Sequence, residues 1–247
     1  MDLSGKTIIV TGATGGIGKA LVKKLAADKP HLILIARSAS KLKALTKTLQ
    51  GVTLKGDTYV SDLTDSAARR RLAKTLVRKY PTVDILINTA GIGVYKPIGA
   101  VTEKDWNTSF ALNVATPYFL TQALIPSLKN SSLSLVLNLG SGAGVIPMRG
   151  RSVYCSTKFA LRGATLSLAE EYNDQKPHFC LITLGSTLTS FGPMTLAEKQ
   201  RDCDSGKAYF TPEWVAKKLV EIIKDDHRET EYTLYPGDYG FGEWKKP

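Results

Sequence analysis

The stretch KTIIVTGATGGIGKALVKKLAADKPHLILIA, residues 6–36, decides the fold. Lys6 to Thr11 is a short β-rich run, and Thr11-Gly12-Ala13-Thr14-Gly15-Gly16-Ile17-Gly18 follows it directly. Gly12 lets the chain turn sharply, while glycine at 16 or 18 permits a phosphate to approach the backbone and the helix to pack closely on the strand. The helix that opens there points unsatisfied N–H groups and its positive dipole end at an anion. Lys29-Pro30 stops this helix near Asp28, because proline cannot continue it and disfavours helix in the residue before. Leu32 to Ala36 is an unbroken apolar run, as a parallel strand covered on both faces requires. Strand, glycine turn, helix and strand is the context a dinucleotide site needs, although the spacing is G-x-x-x-G-x-G rather than G-x-G-x-x-G. A plain glycine-rich turn is the competing reading of this segment alone.

Outward from this unit the alternation repeats. Further strands are predicted at 52–60, 83–88, 132–139, 178–184 and 231–235, with helices near 40–50, 64–80, 103–129, 152–173 and 212–225. Thr211-Pro212-Glu213 is a helix start, with a threonine cap, proline in the first turn and an acid at the positive dipole end. Alternating βα units imply right-handed crossovers. The fold class is therefore α/β: one Rossmann-type, doubly wound parallel sheet of about seven strands with helices on both faces. No linker or repeat divides it, so residues 1–247 read as a single domain. The least regular stretch, 186–210, follows the sixth strand, where open α/β sheets bind ligands. A substrate lid is expected there, with an ordinary surface insertion as the alternative.

Composition narrows the function classes. The 247 residues are 43% hydrophobic and carry a formal net charge of +11. No apolar run approaches the roughly 20 residues that span a bilayer, and Met1-Asp2-Leu3-Ser4-Gly5-Lys6 lacks the apolar stretch of a secretory signal. Cys155, Cys180 and Cys203 are too few and too far apart for a disulfide framework or a tetrahedral metal site. A cytoplasmic protein without metal is expected. The basic residues, such as Arg69-Arg70-Arg71 and Lys217-Lys218, are spread over amphipathic helices, which argues for solvated faces and against a nucleic-acid partner. The charge still favours anionic ligands.

At the end of the second strand, where NAD-binding chains carry an acid for the ribose hydroxyls, this chain reads Ala36-Arg37-Ser38. Arg37 offers a planar fork of donors suited to a 2′-phosphate, and Ser38 adds a hydroxyl. NADP(H) is the preferred cofactor, with NAD(H) left open.

Three further residues carry chemistry. Tyr154 and Lys158 open a helix, where positions i and i+4 share a face about 6 Å apart along the axis. A free tyrosine has a pKa of about 10. A neighbouring ammonium is expected to lower it, so that the phenol gives its proton to a carbonyl oxygen or takes it back. Lys158 can also hydrogen-bond a ribose hydroxyl. Ser141 follows an apolar strand, Leu133 to Leu139, and so sits at a strand's carboxyl end, where its hydroxyl can hold the substrate oxygen beside Tyr154. A turn serine and a surface Tyr/Lys pair are the bland alternatives when each is taken alone.

With these residues in place the chain resembles the short-chain dehydrogenase/reductase (SDR) family over nearly its whole length. The family's T-G-x-x-x-G-x-G is matched from Thr11 to Gly18, and its Ser and Tyr-x-x-x-Lys at Ser141, Tyr154 and Lys158. The resemblance implies cofactor contacts at Gly12, Thr14, Gly15, Gly16, Ile17 and Gly18. It adds Asp62 and Leu63 beside the adenine; Asn88, Ala90 and Gly91 of the Asn88-Thr89-Ala90-Gly91 segment; and Gly185, Thr187 and Thr189 near the nicotinamide. It implies that Asn113, in Leu112-Asn113-Val114, is a structural and proton-relay asparagine holding a water that connects Lys158 to solvent, and that Tyr154 and Lys158 also touch the cofactor.

Three positions depart from the family pattern. Thr89 replaces the second asparagine of N-N-A-G and is expected to lose a contact that braces the central strand. Leu184-Gly185 stands where Pro-Gly is usual. Tyr235-Pro236-Gly237-Asp238 comes without the D-G-G tail common in the family's 3-oxoacyl carrier-protein reductases.

The resulting expectation is an NADP(H)-dependent oxidoreductase that interconverts a ketone or aldehyde and an alcohol. Tyr154 is the acid/base and the partner is a small carbonyl or alcohol substrate. A non-catalytic NADP(H) sensor is the alternative. Val94, Tyr95, Val145, Met148, Arg149, Phe191 and Met194 are candidate pocket walls. By analogy with the family, a homodimer or homotetramer forms through helices 103–129 and 152–173.

Overall fold

Seven strands appear among the described residues of the computed structural model, which are 1–49, 55–132 and 134–243. They are β1 (Thr7–Thr11), β2 (His31–Ala36), β3 (Lys55–Val60), β4 (Ile85–Asn88), β5 (Leu135–Leu139), β6 (His178–Leu184) and β7 (Glu231–Leu234). Every neighbouring pair is parallel, and the order across the sheet is β3-β2-β1-β4-β5-β6-β7. The chain winds outward from β1 in one direction, then returns to start at β4 in the other. The crevice between the carboxyl ends of β1 and β4 is the topological switch point, where ligands bind in such sheets.

The continuous apolar runs are explained by cover on both faces. Along β1 and β2, Ile8, Val10, Leu32 and Leu34 face one core while Ile9, Ile33 and Ile35 face the other, as the period of two dictates. Helices α1 (Gly16–Ala26), α2 (Ala39–Lys47) and α8 (Pro212–Lys224) cover the first face, with Leu21, Leu25, Leu219 and Ile223 buried in it. Helices α3 (Ser66–Lys79), α5 (Thr116–Lys129) and α6 (Ser152–Glu171) lie on the second, through Leu72, Leu76, Leu120, Leu124 and Leu168. Burial of these side chains, at about 1.5–3 kcal/mol for each fully covered Leu or Ile, outweighs the modest propensities of the individual helices.

Local signals set the boundaries. The α1 helix stops at Ala26, and Lys29 takes a left-handed φ of 54° just before Pro30. Thr211 caps α8 by accepting from the Trp214 amide at 3.2 Å. The predicted helix over 103–129 is α4 (Glu103–Phe110) and α5 joined through a π-helical turn at Ala111–Ala115. Such a bulge widens the ladder by one residue and commonly accompanies a functional site. Here it carries Asn113.

One region differs from the sequence reading. A helix, α7 (Leu196–Asp204), lies within the 186–210 stretch read as irregular. Thr195 and Glu198 form a reciprocal capping box at its start, a signal present in the sequence as T-x-x-E. The predicted strand positions 52–54 and 133, and helix position 50, lie outside the described residues.

Candidate active site

One cavity of about 510 Å³ runs along the carboxyl ends of the strands, from Arg37 at the β2 end to Met194 before α7. At its centre the glycine turn leaves β1. Gly12 has a φ of +67°, and a side-chain carbon there would stand 2.7 Å from the Ala90 backbone. Only glycine permits both the turn and that approach. The α1 helix begins after Gly15 with no side-chain cap on its first amides. Gly15, Gly16, Ile17 and Gly18 at that uncapped end line the cavity together with Gly12 and Thr14. An anionic diphosphate is the ligand that such an end fits.

At the β2 end, Arg37 and Lys41 line the same cavity and are exposed, with no Asp or Glu among its lining residues. The Ser38 hydroxyl caps α2, accepting from the Lys41 amide at 3.2 Å. This corner holds two cations at a helix amino terminus, a donor set that suits a phosphate on the adenosine ribose. Of the neighbouring candidates, Leu63 lines the wall. Asp62 does not; its carboxylate turns back to the Thr64 amide at 3.0 Å and the Thr64 hydroxyl at 2.8 Å.

The β4 end contributes Thr89, Ala90 and Gly91 to the lining, while Asn88 is buried behind them. The Asn88 amide donates to Asn138 Oδ1 on β5 at 2.9 Å, and Asn138 donates to Thr165 on α6. Asn88 therefore ties sheet to helix. Thr89 keeps a brace to the central strand: its hydroxyl donates to the Thr11 carbonyl at 2.6 Å, while the Ala90 amide reaches the Thr11 hydroxyl at 3.3 Å. The loss expected from the missing asparagine does not occur, because a hydroxyl at this close approach reaches a carbonyl unaided.

Asn113 is 1% exposed and does not line the cavity. Its Oδ1 accepts from the Ile92 amide at 2.9 Å, and its Nδ2 donates to the Ile92 carbonyl at 2.8 Å and to Thr157 Oγ1 at 3.0 Å. Thr157 in turn donates to the Tyr154 carbonyl at 2.8 Å. The asparagine thus fixes the first turn of α6, which carries the tyrosine.

Ser141, Tyr154 and Lys158 converge on the cavity. Ser141 follows β5 and caps the short turn Gly142–Gly144, accepting from the Ala143 amide at 3.2 Å. Gly144 lets that turn lie on α6, since a side-chain carbon there would meet the Lys158 carbonyl at 2.8 Å. Tyr154 is 7% exposed, with its ring 5.5 Å from Tyr95 and 5.6 Å from Phe191. Lys158 is equally enclosed; its Nζ donates to the Leu139 carbonyl at 2.7 Å and lies 5.9 Å from the Tyr154 ring centre.

The electrostatics depart from the sequence expectation. Burial pushes the Tyr154 phenol well above its ordinary value, the Tyr95 hydroxyl adds to this, and contact with Ser141 offsets part of it. Burial also lowers the Lys158 ammonium, to about 8. Desolvation dominates at both groups and Lys158 is not among the influences on the phenol, which is held in its neutral form.

The remaining candidates divide. Gly185, Thr187 and Thr189 after β6 line the cavity, as do Tyr95, Met148, Phe191 and Met194. Val94, Val145 and Arg149 do not, and Arg149 is exposed. Arg151, Lys199, Lys207, Tyr209 and Tyr235 line it without having been anticipated. Arg151 lies three residues before Tyr154, at the cap position of α6, and its inward placement depends on where that helix begins. Lys199 was missed because its helix went unread. Its buried ammonium latches α7 down, donating to the Thr189 and Phe191 carbonyls at 2.7 and 2.6 Å.

Comparison with known proteins bears on this geometry. The family model described as short chain dehydrogenase matches residues 6–200. The human protein "Dehydrogenase/reductase SDR family member 4" is 30% identical over 201 residues, covering 81% of this chain and 72% of that protein. A 3-oxoacyl-[acyl-carrier-protein] reductase of Thermotoga maritima is 28% identical over 232 residues, covering 92% and 93% of the two chains. Among solved structures, a short chain dehydrogenase from Burkholderia cenocepacia in complex with NADP superposes with a TM-score of 0.83 at 26% identity, over 95% of this chain and 98% of that one.

Proposed function

The chain belongs to the short chain dehydrogenase family, and on that premise we propose that it is an NADP(H)-dependent oxidoreductase interconverting a ketone or aldehyde and an alcohol. The observation that carries the reading is the convergence of Ser141, Tyr154 and Lys158 on the cavity that also exposes the uncapped α1 terminus. A nicotinamide dinucleotide bound along it supplies hydride for reduction or accepts it in oxidation. The α1 amides, Gly12 and Thr14 hold its diphosphate, while Gly185, Thr187 and Thr189 position the nicotinamide end.

In reduction, Tyr154 donates its phenolic proton to the carbonyl oxygen as negative charge develops there. Ser141 donates a hydrogen bond to the same oxygen, which orients and polarises it. Lys158 grips the ribose next to the nicotinamide and, as an ammonium, steadies the phenolate left behind. Its carbonyl partner, Leu139, holds the ammonium in place meanwhile. Asn113 serves the proton relay by keeping the first α6 turn and Ile92 in register.

Arg37 and Lys41 support NADP(H) over NAD(H), since they pair with a 2′-phosphate and no carboxylate lines the corner to repel it. The 186–210 segment, with α7 latched by Lys199, acts as the substrate lid. The protein works in the cytoplasm as a homodimer or homotetramer: Trp106, Tyr118, Phe119 and Phe159 on α4, α5 and α6 are exposed aromatics that support association through those helices.

The test is oxidation of NADPH with a panel of ketones, aldehydes and 3-oxoacyl thioesters. Turnover of one or more carbonyl compounds is expected. Tight NADPH binding with no turnover across the panel would replace this reading with the non-catalytic sensor.

A further inference from the structure

At the substrate end of the cavity the charges are one-sided. No Asp or Glu lines the cavity among the described residues, yet Arg151, Lys199 and Lys207 do. Lys207 is neutralised by Asp202, at 2.8 Å, and Lys199 is spent on two backbone carbonyls. Arg151 has no carboxylate within ion-pair distance among the described residues. Its guanidinium lies 4.8 Å over the Tyr95 ring and 3.2 Å from the Met148 sulfur. Tyr95 in turn packs 5.5 Å from the Tyr154 ring, so a single aromatic ring separates the guanidinium from the proposed acid.

A half-buried guanidinium without a counter-ion is costly, and a second unneutralised cation nearby makes it costlier. Arg151 contributes to keeping the Lys199 ammonium below its ordinary value, after burial itself, and both residues line the cavity. An anion on Arg151 removes its penalty and relieves the repulsion felt by Lys199. Arginine is also the side chain that best grips a planar carboxylate or a phosphate, through two parallel hydrogen bonds.

Resting on the proposed carbonyl reduction, we infer that the substrate carries an anionic group, a carboxylate or a phosphate, which Arg151 binds while Tyr154 protonates the carbonyl oxygen. The body of the molecule between the two groups is apolar, because Tyr95, Phe191 and Met148 form the wall there. Selectivity then comes from leaving Arg151 unpaired when a neutral analogue binds.

The experiment compares matched substrates with NADPH: 4-formylbenzoate against its methyl ester, and glyceraldehyde 3-phosphate against glyceraldehyde. One or both anions are expected to exceed the neutral partner in kcat/KM by about tenfold or more, the worth of a charge-assisted bidentate contact. The first pair reads a carboxylate site and the second a phosphate site. Arg151→Met brings that ratio towards one, and Arg151→Lys restores part of it. Equal kcat/KM for both members of both pairs, or a ratio unaffected by Arg151→Met, overturns the inference while leaving carbonyl reduction intact. A raised KM for NADPH with an unchanged ratio also overturns it, by assigning Arg151 to the cofactor. Binding supplies a second readout: calorimetry of 4-(hydroxymethyl)benzoate and of inorganic phosphate on the NADP⁺-loaded protein. Binding that weakens about tenfold in Arg151→Met, in a protein that turns over no carbonyl compound, sustains the anion site and removes the proposed activity.

Discussion

Replacing Lys158 with methionine should abolish activity and yet stabilise the free protein at neutral pH. Lys158 is 6% exposed, and burial holds its ammonium at about 8, against 10.5 for an exposed lysine. At about 1.4 kcal/mol per pKa unit, keeping that charge in the folded state costs about 3 kcal/mol below pH 8. Methionine keeps the length and loses the charge, but it also orphans the Leu139 carbonyl that Nζ now satisfies at 2.7 Å. That loss returns about 1–2 kcal/mol. The net gain is about 1–2 kcal/mol at pH 7, a rise of about 2–8 °C in Tm for a chain of this size. Between pH 8 and 10.5 the unfolded chain binds a proton at Lys158 that the folded chain has released. The unmodified protein therefore gains stability relative to the variant across that window, and above it the order reverses. Thermal and urea unfolding of both proteins at pH 7 and 10.5, without nucleotide, measure the difference. A variant less stable at pH 7, or a difference that does not change with pH, refutes the reasoning.

Other outcomes follow from the same geometry. Arg37→Ala raises KM for NADPH by about tenfold and leaves that for NADH nearly unchanged, since only the 2′-phosphate loses a partner; steady-state kinetics with both cofactors decide it. Thr89→Val removes the hydroxyl that donates to the Thr11 carbonyl and lowers unfolding stability by about 1–2 kcal/mol in urea titration. Because Lys158 in the free protein loses its proton at about 8, kcat/KM for NADPH falls as pH rises through that value; a flat profile to pH 9.5 would speak against a charged Lys158 in cofactor capture.

The sheet, and the three side chains that converge on the cavity, were legible because they rest on local rules. Gly12 is required by one backbone angle, Lys29-Pro30 ends a helix by sterics, and Leu32–Ala36 is apolar because helices cover both faces. Ser141, Tyr154 and Lys158 were found by spacing on known elements. What escaped depends on the third dimension. Thr89 was expected to leave the central strand unbraced, but only the packing shows its hydroxyl reaching Thr11. Lys158 was expected to acidify Tyr154; neither spacing nor charge reveals that both side chains are so enclosed that desolvation wins. Arg149 was placed in the pocket wall instead of Arg151, because the first residue of α6 fixes which side chain faces inward. Lys199 stayed hidden with α7, although Thr195 and Glu198 spelled its cap.

The central claim is that the phenol of Tyr154 delivers the proton while the rest of the site only positions and polarises. Stopped-flow reduction of a carbonyl substrate by Tyr154→Phe, with NADPH binding followed by its fluorescence in the same samples, tests it most directly. Removing an acid in this role costs about 10²–10⁴ in the hydride-transfer rate, and nucleotide affinity should hold because the glycine turn and Arg37 are untouched. Hydride transfer at an unaltered rate in that variant would contradict the account.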